Sequence, residues 1–327
     1  MSNFEERGEI TVRTLADSIT DGGSRLITQE WTYPRCVHSE VLTHGDLRRN
    51  SASSRAIPAK RLRELTLGAP YVPWHWGQNE KGMQASGEVD DWTKKEAEWW
   101  WRNGLNEAAD LHKYLEDLGL HKQVLNRVIE PWMMITIIVS ATDWANFFHQ
   151  RTHKAAEPAM QKLAKLAWTE FHESMPVYRA PGEWHLPMIT NDDRLDALGL
   201  SIRDQDTDAM WEGRTLDTLK KVSTGRCARV SYLTHDGKRD LSEDIGLHDR
   251  LLGTIDSGDP GHFSPFEHPC QAVGGRQRIG PFEGWKQYRK FLVGEAGPDT
   301  TIDRCEKCGC WNGRHVSQCP AQHKEIM

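Results

Sequence analysis

Near the start of the chain, apolar and polar residues alternate, whereas the middle of the chain has helical spacing. Residues 9–13 alternate strictly, which predicts a β-strand. Between residues 105 and 118, leucines and an alanine recur every three or four positions, which predicts a helix with Gly119 at its C-cap. A second helix is expected from about His121 to Glu130, and it should end or kink at Pro131.

The pattern beyond this point predicts two more helices and a later strand. Residues 142–151 suit a helix, and the apolar positions after Pro158 form one amphipathic stripe. Residues 68–92 are rich in Gly, Pro and Trp and predict a loop, while the polar residues 191–220 predict a connection or small insertion. A strand pattern returns at residues 227–233. Strands at both ends of a helical middle predict a mixed α+β fold.

Composition places the chain among soluble globular proteins. Its 327 residues can bury a sizeable core, and 38% hydrophobic with 27% charged residues is ordinary. A net charge of −6 argues against a general nucleic-acid coat, so any phosphate must be bound by local arginines. Residues 1–7 lack the basic-then-apolar order of a signal peptide, and the apolar run 132–139 is too short to cross a bilayer. We therefore expect a cytoplasmic protein that binds no membrane.

Cysteines cluster near the C-terminus, where they suggest a metal site. An uneven set of seven cysteines in a cytoplasmic chain favours metal binding or free thiols over a disulfide framework. The expected ligands of a structural zinc are Cys305, Cys308, His315 and Cys319. Cys310 and His323 are alternative ligands. This pattern divides the chain into a catalytic domain, 1–295, and a Cys-rich tail, 296–327.

Residues 38–56 concentrate carboxylate, imidazole, hydroxyl and guanidinium groups in one short run. Arginine presents a planar fork of donors that suits a phosphate, and neighbouring serines can complete an anion site. The chemistry indicated is binding of a nucleotide. The alternative is a solvated, turn-prone basic segment.

This run resembles the core motif of flavin-dependent thymidylate synthases, and three further segments are similar to that family. Residues 261–268 (GHFSPFEH) resemble its flavin-binding motif G-H-x-[ST]-P-F-E-H. Residues 146–151 resemble its N-F-x-x-x-R segment, and residues 228–232 resemble a strand that carries a flavin-contacting serine. In familiar members the flavin-binding motif precedes the core motif, whereas here it follows. The resemblance therefore implies a circularly permuted, phage-type order of motifs, with the small Cys-rich tail appended.

The resemblance implies two sets of site residues. The nucleotide-binding set is Glu40, Ser53, Ser54, Arg55, Arg127 and Arg151. The flavin-binding set is His44, Asn146, Ser231, His262, Ser264 and Glu267. Arg151 and His262 are expected to be catalytic, and Arg151 would stabilise negative charge that develops on the pyrimidine. A simpler interpretation of Arg127 is an ion pair with Glu130, one helical turn further on.

The chain departs from the family at two places. The R-H-R triplet is replaced by residues 43–45 (Thr-His-Gly), so two arginines are missing, and Arg48 and Arg49 stand nearby as replacements. Residues 156–159 read Ala-Glu-Pro-Ala where relatives have A-Q-P-E. These changes concern the substrate or product more than the fold.

The implied activity is methylation of dUMP at C5 to give dTMP, with FAD as cofactor and with methylene-tetrahydrofolate and NADPH as cosubstrates. The implied assembly is a homo-oligomer, a tetramer. Hydroxymethylation of dUMP, or C5 modification of dCMP for modified phage DNA, is a second interpretation of the altered triplet. A third, of another class, is a catalytically inactive homologue that binds nucleic acid through its Cys-rich tail, although the net charge argues against it.

Overall fold

The computed structural model describes residues 7–203, 208–230, 239–253, 261–292 and 295. Ser231 and the four expected zinc ligands, Cys305, Cys308, His315 and Cys319, lie outside these residues. Among the helices in the described ranges, none is both long enough and apolar enough to cross a membrane.

A five-stranded sheet forms the centre of the molecule. Its strands are β1 (Thr11–Thr20), β2 (Arg25–Pro34), β3 (Arg48–Ser51), β4 (Met134–Ala141) and β5 (Val177–Arg179), in the order β3-β4-β2-β1-β5. All neighbours are antiparallel except β1 and β5. The inner strand β4 is almost wholly apolar because both of its faces are covered: Ile137 and Val139 join one buried cluster and Ile138 another.

Nine α-helices in the described part of the chain surround this sheet. They are α1 (His38–Leu42), α2 (Ala59–Gly68), α3 (Asp91–Asp117), α4 (Lys122–Leu125), α5 (Ala145–Arg151), α6 (Pro158–Glu173), α7 (Asn191–Arg203), α8 (Asp208–Arg229) and α9 (Leu241–Leu252). Short 3-10 helices cover Arg35–Val37, Glu130–Trp132, Ser264–Glu267 and Tyr288–Phe291.

Short strands near the C-terminal end complete the described fold. They are β6 (Trp184–His185), β7 (Cys270–Ala272), β8 (Arg278–Ile279), β9 (Phe282–Glu283) and β10 (Trp285–Gln287). β10, β7 and β6 form one small sheet, and β8 and β9 form another. The mixed α+β class expected from the sequence is confirmed.

Helix α6 shows how the pattern of apolar positions places an element. Its stripe of Met160, Leu163, Ala164 and Ala167 is fully buried in the largest core cluster, together with Trp31 of β2. Glu157 caps the helix by accepting a hydrogen bond from the Met160 backbone N–H at 2.8 Å. The predicted amphipathic helix after Pro158 is confirmed.

Other predictions from the pattern are confirmed in part. The strand at residues 9–13 lies at the start of β1, the loop at 68–92 separates α2 from α3, and Gly119 after α3 has a φ of +79°. The helix expected from about His121 to Glu130 is wrong in length, because α4 ends at Leu125 and Pro131 lies in a separate 3-10 helix.

The prediction of a connection at residues 191–220 is wrong, since helices α7 and most of α8 occupy this segment. Most polar residues of α7 are exposed, but Asp193 is buried. Asp193 accepts two hydrogen bonds from Arg226, both at 2.7 Å, and both side chains are buried. Thr190 and Asp193 also form a reciprocal capping box at the start of α7, a signal that the sequence contained.

The strand predicted at residues 227–233 is wrong over its described part, because the chain stays helical through Val230. Arg226 and Arg229 are three residues apart, which places them on one helix face, and both donate to Asp244 of α9. The apolar residues Cys227 and Val230 lie about 100° further around the helix and pack against Ile138 of β4. A buried helix face therefore produced the apolar run that suggested a strand.

Candidate functional site

The Arg151 side chain, at the end of α5, joins three residues that the chain supplies from around α1. Its Nη1 donates to Oε2 of Glu40 at 2.8 Å, its Nε donates to Nε2 of His44 at 2.9 Å, and its Nη2 donates to Oγ1 of Thr43 at 3.2 Å. The Arg151 side chain as a whole is 20% exposed, and it lines an open cleft. Three of the predicted site residues, Glu40, His44 and Arg151, are thus brought together.

The position of Arg151 follows from the packing of α5. Phe147 and Phe148 are buried in the main core, and the indole N–H of Trp144 donates to the Ala141 carbonyl at 3.0 Å, which fixes the junction of β4 and α5. The edge contact between the rings of Phe147 and His44, with centroids 5.1 Å apart, holds the imidazole against the same helix. Arg151 is therefore attached to a rigid element.

His44 is a neutral hydrogen-bond acceptor in this arrangement. Burial, and then the positive charges of Arg151 and Arg49, lowers the pKa of its imidazole to about 4. Since Nε2 accepts from Arg151, the ring proton of the neutral form resides on Nδ1. The site therefore combines one fixed cation with a neutral imidazole at neutral pH.

Arg49 organises the backbone of this site. Its Nη1 donates to the carbonyls of Val41 at 3.0 Å and His44 at 2.8 Å, so the guanidinium fixes the chain between α1 and β3. Of the two expected replacements for the missing arginines, Arg49 therefore binds backbone carbonyls of the protein itself. Arg48 differs, because its Nε is buried without a hydrogen-bond partner among the described residues.

A second cluster surrounds the carboxylate of Glu130. Arg127 donates to it at 2.7 Å, Ser54 at 3.2 Å, and Nε of Arg35 lies 3.3 Å away. The ion pair of Arg127 and Glu130 agrees with the simpler interpretation of Arg127, and the same contact places this arginine beside Ser54. Arg35 was missed by the sequence reasoning, because nothing in its local sequence distinguishes it from a surface arginine.

The loop after β3, which carries the predicted serines, is held by a buried asparagine. The buried amide of Asn126 donates to the carbonyls of Ser54 at 2.7 Å and Ile57 at 3.2 Å. Ser53 accepts a hydrogen bond from the Arg55 backbone N–H at 3.3 Å, and the Arg55 side chain is exposed. The loop is held in place while Arg55 faces outward.

His38 lies between the two clusters and was also missed. Its Nδ1 is 2.7 Å from the hydroxyl of the buried Tyr33. Burial, followed by the charges of Arg35 and Arg49, lowers the pKa of His38 to about 4. Arg35 of the Glu130 cluster and Arg49 beside the Arg151 cluster both favour the neutral form of this imidazole.

The segment 261–268 packs beside β3 through its 3-10 helix, Ser264–Glu267. Glu267 forms an ion pair with Arg289, which also binds Glu295 at 2.6 Å. Since this 3-10 helix contacts β3, the strand that carries Arg49, the segment lies near the chain that follows His44. His262 is exposed and Ser264 is half-buried at the start of the 3-10 helix.

His268, the last residue of this segment, is fully buried against the sheet. Its Nδ1 is 2.8 Å from Oγ of Ser140, which in turn is 2.6 Å from Oγ1 of Thr28. Its Nε2 is buried without a hydrogen-bond partner in the described part of the chain. Arg48 of β3 lies directly opposite Ser140 of β4 in the sheet. Arg48 and His268 are thus both neighbours of Ser140, and each has a buried nitrogen atom without a hydrogen-bond partner among the described residues.

The remaining predicted residues are not joined to these clusters by hydrogen bonds. Asn146 is exposed on α5, the helix that also carries Arg151. Within the described ranges, no group of three His, Cys, Asp or Glu side chains is arranged to hold a metal ion.

An open cleft of about 1160 Å³ lies next to the Arg151 cluster and includes Glu40 and Arg151 in its lining. The rest of its wall comes from the loop before α3, the turn after α5 and the exposed side of α6. Small-ligand sites commonly have volumes of about 300–1,000 Å³, so this cleft has room for a sizeable ligand.

Comparison with known proteins finds similarity only among solved structures: no family model matches the chain, and no curated protein does. The UMP/dUMP methylase PolB from Streptomyces cacaoi, bound with 5-Br UMP, is 16% identical, with 52% of this chain and 91% of that chain covered and a TM-score of 0.43. The flavin-dependent thymidylate synthase ThyX from Helicobacter pylori, complexed with FAD and dUMP, is 16% identical, with 45% and 67% covered and a TM-score of 0.31. The family that the motifs resemble is thus represented among the structures similar to this chain.

Proposed function

We propose that this chain is a flavin-dependent enzyme that modifies C5 of a pyrimidine deoxynucleotide, most simply by methylating dUMP to dTMP. The observation that carries the proposal is the Arg151 cluster, in which a resemblance to the family's N-F-x-x-x-R segment coincides with a fixed, partly exposed cation. Methylene-tetrahydrofolate and NADPH are the proposed cosubstrates.

Arg151 can bind the edge of a pyrimidine ring without giving up its present contacts. A guanidinium carries five N–H donors, and three of them are used by Glu40, His44 and Thr43. The remaining donors can face a ring carbonyl, where they would stabilise the negative charge that develops on the pyrimidine as C5 becomes nucleophilic. The fixed position means that little reorganisation is required when that charge appears.

The Glu130 cluster suits the phosphate and sugar of the same nucleotide. Arg127, Ser53 and the exposed Arg55 offer guanidinium and hydroxyl donors, which match phosphate oxygens. Glu130 orients Arg127 and Arg35 and offsets their mutual repulsion. We infer that these residues hold the phosphate while Arg151 holds the base.

The region around Ser140 supports the proposal of a flavin. The two unpartnered nitrogen atoms, Arg48 Nε and His268 Nε2, suit a ligand that offers hydrogen-bond acceptors, as flavin carbonyl and phosphate oxygens do. His44, Asn146, Ser231, His262, Ser264 and Glu267 are the residues proposed to hold FAD. Bound FAD would supply the redox and one-carbon chemistry that side chains cannot perform. The permuted order of motifs belongs to the same proposal.

Purification of the full chain tests the flavin assignment. We expect a yellow protein whose absorbance spectrum and extracted cofactor identify FAD. The double variant His262→Ala/Glu267→Ala should lose most of the flavin, whereas the control His172→Ala/Glu173→Ala, on the exposed end of α6, should keep it. Full flavin content in the first variant, at unchanged thermal stability, would show that the site assignment is wrong.

We also propose that the enzyme is a homo-oligomer, with a tetramer as the expected state. The long helix α3 supports this, because it exposes large apolar side chains to solvent. They are Trp92, Trp99, Trp100, Leu111, Tyr114 and Leu118. Contiguous exposed apolar surface commonly marks a protein interface. Light scattering of the purified chain gives the oligomeric state directly.

A further inference from the structure

The cleft beside Arg151 contains more positive charge than the nucleotide site requires. Lys154 lies in the turn between α5 and α6, and Lys162 and Lys165 lie on the exposed side of α6. All three line the cleft, and none forms an ion pair with a carboxylate of the described residues. The Lys162 ammonium lies over the Trp74 ring, 4.9 Å from its centroid, and Lys165 donates to Gln161 at 3.0 Å.

The acidic residues of the cleft do not neutralise these lysines. Glu40 is paired with Arg151, and Glu88 is paired with Lys94 and His75. The third, Glu157, caps α6, and burial raises the pKa of its carboxyl group. The three lysines therefore give the cleft that Arg151 lines an excess of positive charge.

We propose that this lysine cleft, defined by Lys154, Lys162 and Lys165, binds the anionic chain of a reactant seated at Arg151. The inference rests on the proposed function, which places a reactant there. The shared chemistry is a flexible chain with several negative charges, either the phosphate groups of the NADPH cosubstrate or a carboxylate chain on the one-carbon carrier.

The geometry favours an extended chain over a single anion. Lys162 and Lys165 are three residues apart on one helix, so their stems are neighbours about 5–6 Å apart. Lys154 belongs to a different element, the turn before α6, and Arg151 lines the same cleft. Separate cations along one wall match charges that repeat along a chain.

Calorimetric titration of the full-length enzyme with inorganic tripolyphosphate and with tetra-γ-glutamate tests the proposal. The variant Lys154→Gln/Lys162→Gln/Lys165→Gln removes three charges and keeps long polar side chains. The matched control is Lys60→Gln/Lys95→Gln/Lys113→Gln, which changes three exposed lysines of α2 and α3 outside the cleft. We expect the cleft variant to bind at least one probe roughly tenfold or more weakly, while the control binds as the wild type does.

The two probes distinguish the sources of the chain. Loss of tripolyphosphate binding alone assigns a phosphate chain, loss of tetra-γ-glutamate binding alone assigns a carboxylate chain, and each result supports the cleft. The inference is overturned if the wild-type enzyme binds neither probe. It is also overturned if the cleft variant and the control variant bind both probes with equal affinity. The dissociation constant for dUMP is measured in parallel for the wild type and for the cleft variant. It tests the proposed function separately, because the lysine substitutions leave Arg151 and Arg127 intact.

Discussion

At the scale of single residues, the contact between Arg151 and His44 should have a measurable effect on the pKa of His44. The positive charge of Arg151 disfavours the imidazolium form, and it is the largest cause after burial of a His44 pKa of about 4. In an Arg151→Gln variant the pKa of His44 should therefore rise toward its ordinary value of 6.5. Titration of the ¹³C-labelled imidazole by NMR measures the change, with the exposed His172 as internal reference. An unchanged pKa of His44 would contradict the described contact.

Arg55 provides a second test at this scale, because its side chain is exposed and leaves the core undisturbed when it is removed. A charge-assisted hydrogen bond contributes about 1.5–3 kcal/mol, so Arg55→Ala should weaken dUMP binding roughly tenfold to a hundredfold. Flavin content should barely change. Arg61→Ala, at another exposed arginine nearby on α2, serves as the control. Equal nucleotide dissociation constants for the two variants would remove Arg55 from the proposed site.

At the scale of elements, helices α7, α8 and α9 are joined by a buried group of charges. Asp244 of α9 accepts from Arg226 at 2.9 Å and from Arg229 at 2.6 Å, and its side chain is fully buried. The variant Asp244→Asn would remove one of the two carboxylate partners of each buried arginine, leaving Asp193 for Arg226 and Glu243 for Arg229, so a loss of about 3 kcal/mol of unfolding free energy is expected. The neighbouring Glu243→Gln, at a half-exposed carboxylate, should cost less than about 1 kcal/mol. Denaturant unfolding of both variants measures the difference, and similar losses would contradict it.

The same group of charges predicts how stability depends on pH. Burial by itself would raise the pKa of Asp193, but hydrogen bonds from Arg226 and Thr190 outweigh it and hold the value at about 2. The folded-state pKa is thus below the ordinary 3.8, so this contribution is present above pH 4 and is lost as the pH falls toward 2. Unfolding free energies measured between pH 5 and pH 2 should decline, and the decline should be smaller in Asp193→Asn.

The Cys-rich tail gives a prediction for a segment outside the described residues. Four ligands, Cys305, Cys308, His315 and Cys319, suit a tetrahedral structural zinc. Elemental analysis should find zinc in stoichiometric amount in protein purified without chelators. The variant Cys305→Ser/Cys308→Ser should lose the metal while it still binds flavin. Zinc-free wild-type protein would refute this assignment.

Elements with a simple period were predictable from the sequence, whereas elements built on long-range charge pairing were not. The buried stripe of α6 and the alternation that begins β1 are local patterns, and both were predicted. The polarity of α7 and of the first part of α8 pointed to a connection, whereas the buried Asp193 of α7 has its partner, Arg226, 33 residues later in α8. Only the capping box at Thr190 was a local sign of helix.

The candidate site was predictable to a similar degree. Glu40, His44 and Arg151 were all identified from motifs, and the structure joins them through hydrogen bonds. Arg35 and His38 were missed because their roles depend on the distant Glu130 and on Tyr33 of β2. A motif identifies residues by their local sequence. The contacts of Arg35 and His38 depend instead on how distant strands and 3-10 helices pack against one another.

At the scale of the whole molecule, sequence segments separated by more than two hundred residues converge at the edge of the sheet that β3 forms. The region of residues 38–56 lies between Arg151 on one side and the segment 261–268 on the other. The proposed nucleotide and flavin sites are therefore adjacent, as transfer of a one-carbon unit between them requires. The oligomeric state would decide whether a second copy completes this face.

Turnover of the purified chain tests the central claim most directly. The reaction contains dUMP, methylene-tetrahydrofolate and NADPH, a parallel reaction contains dCMP, and mass spectrometry identifies the nucleotide products. The account predicts flavin-dependent conversion of dUMP to a product heavier by one methylene unit, with turnover strongly reduced in Arg151→Lys, because lysine cannot reproduce the fixed planar contacts of the guanidinium. Protein that binds FAD but leaves both nucleotides unchanged, or full activity in Arg151→Lys, would contradict the account.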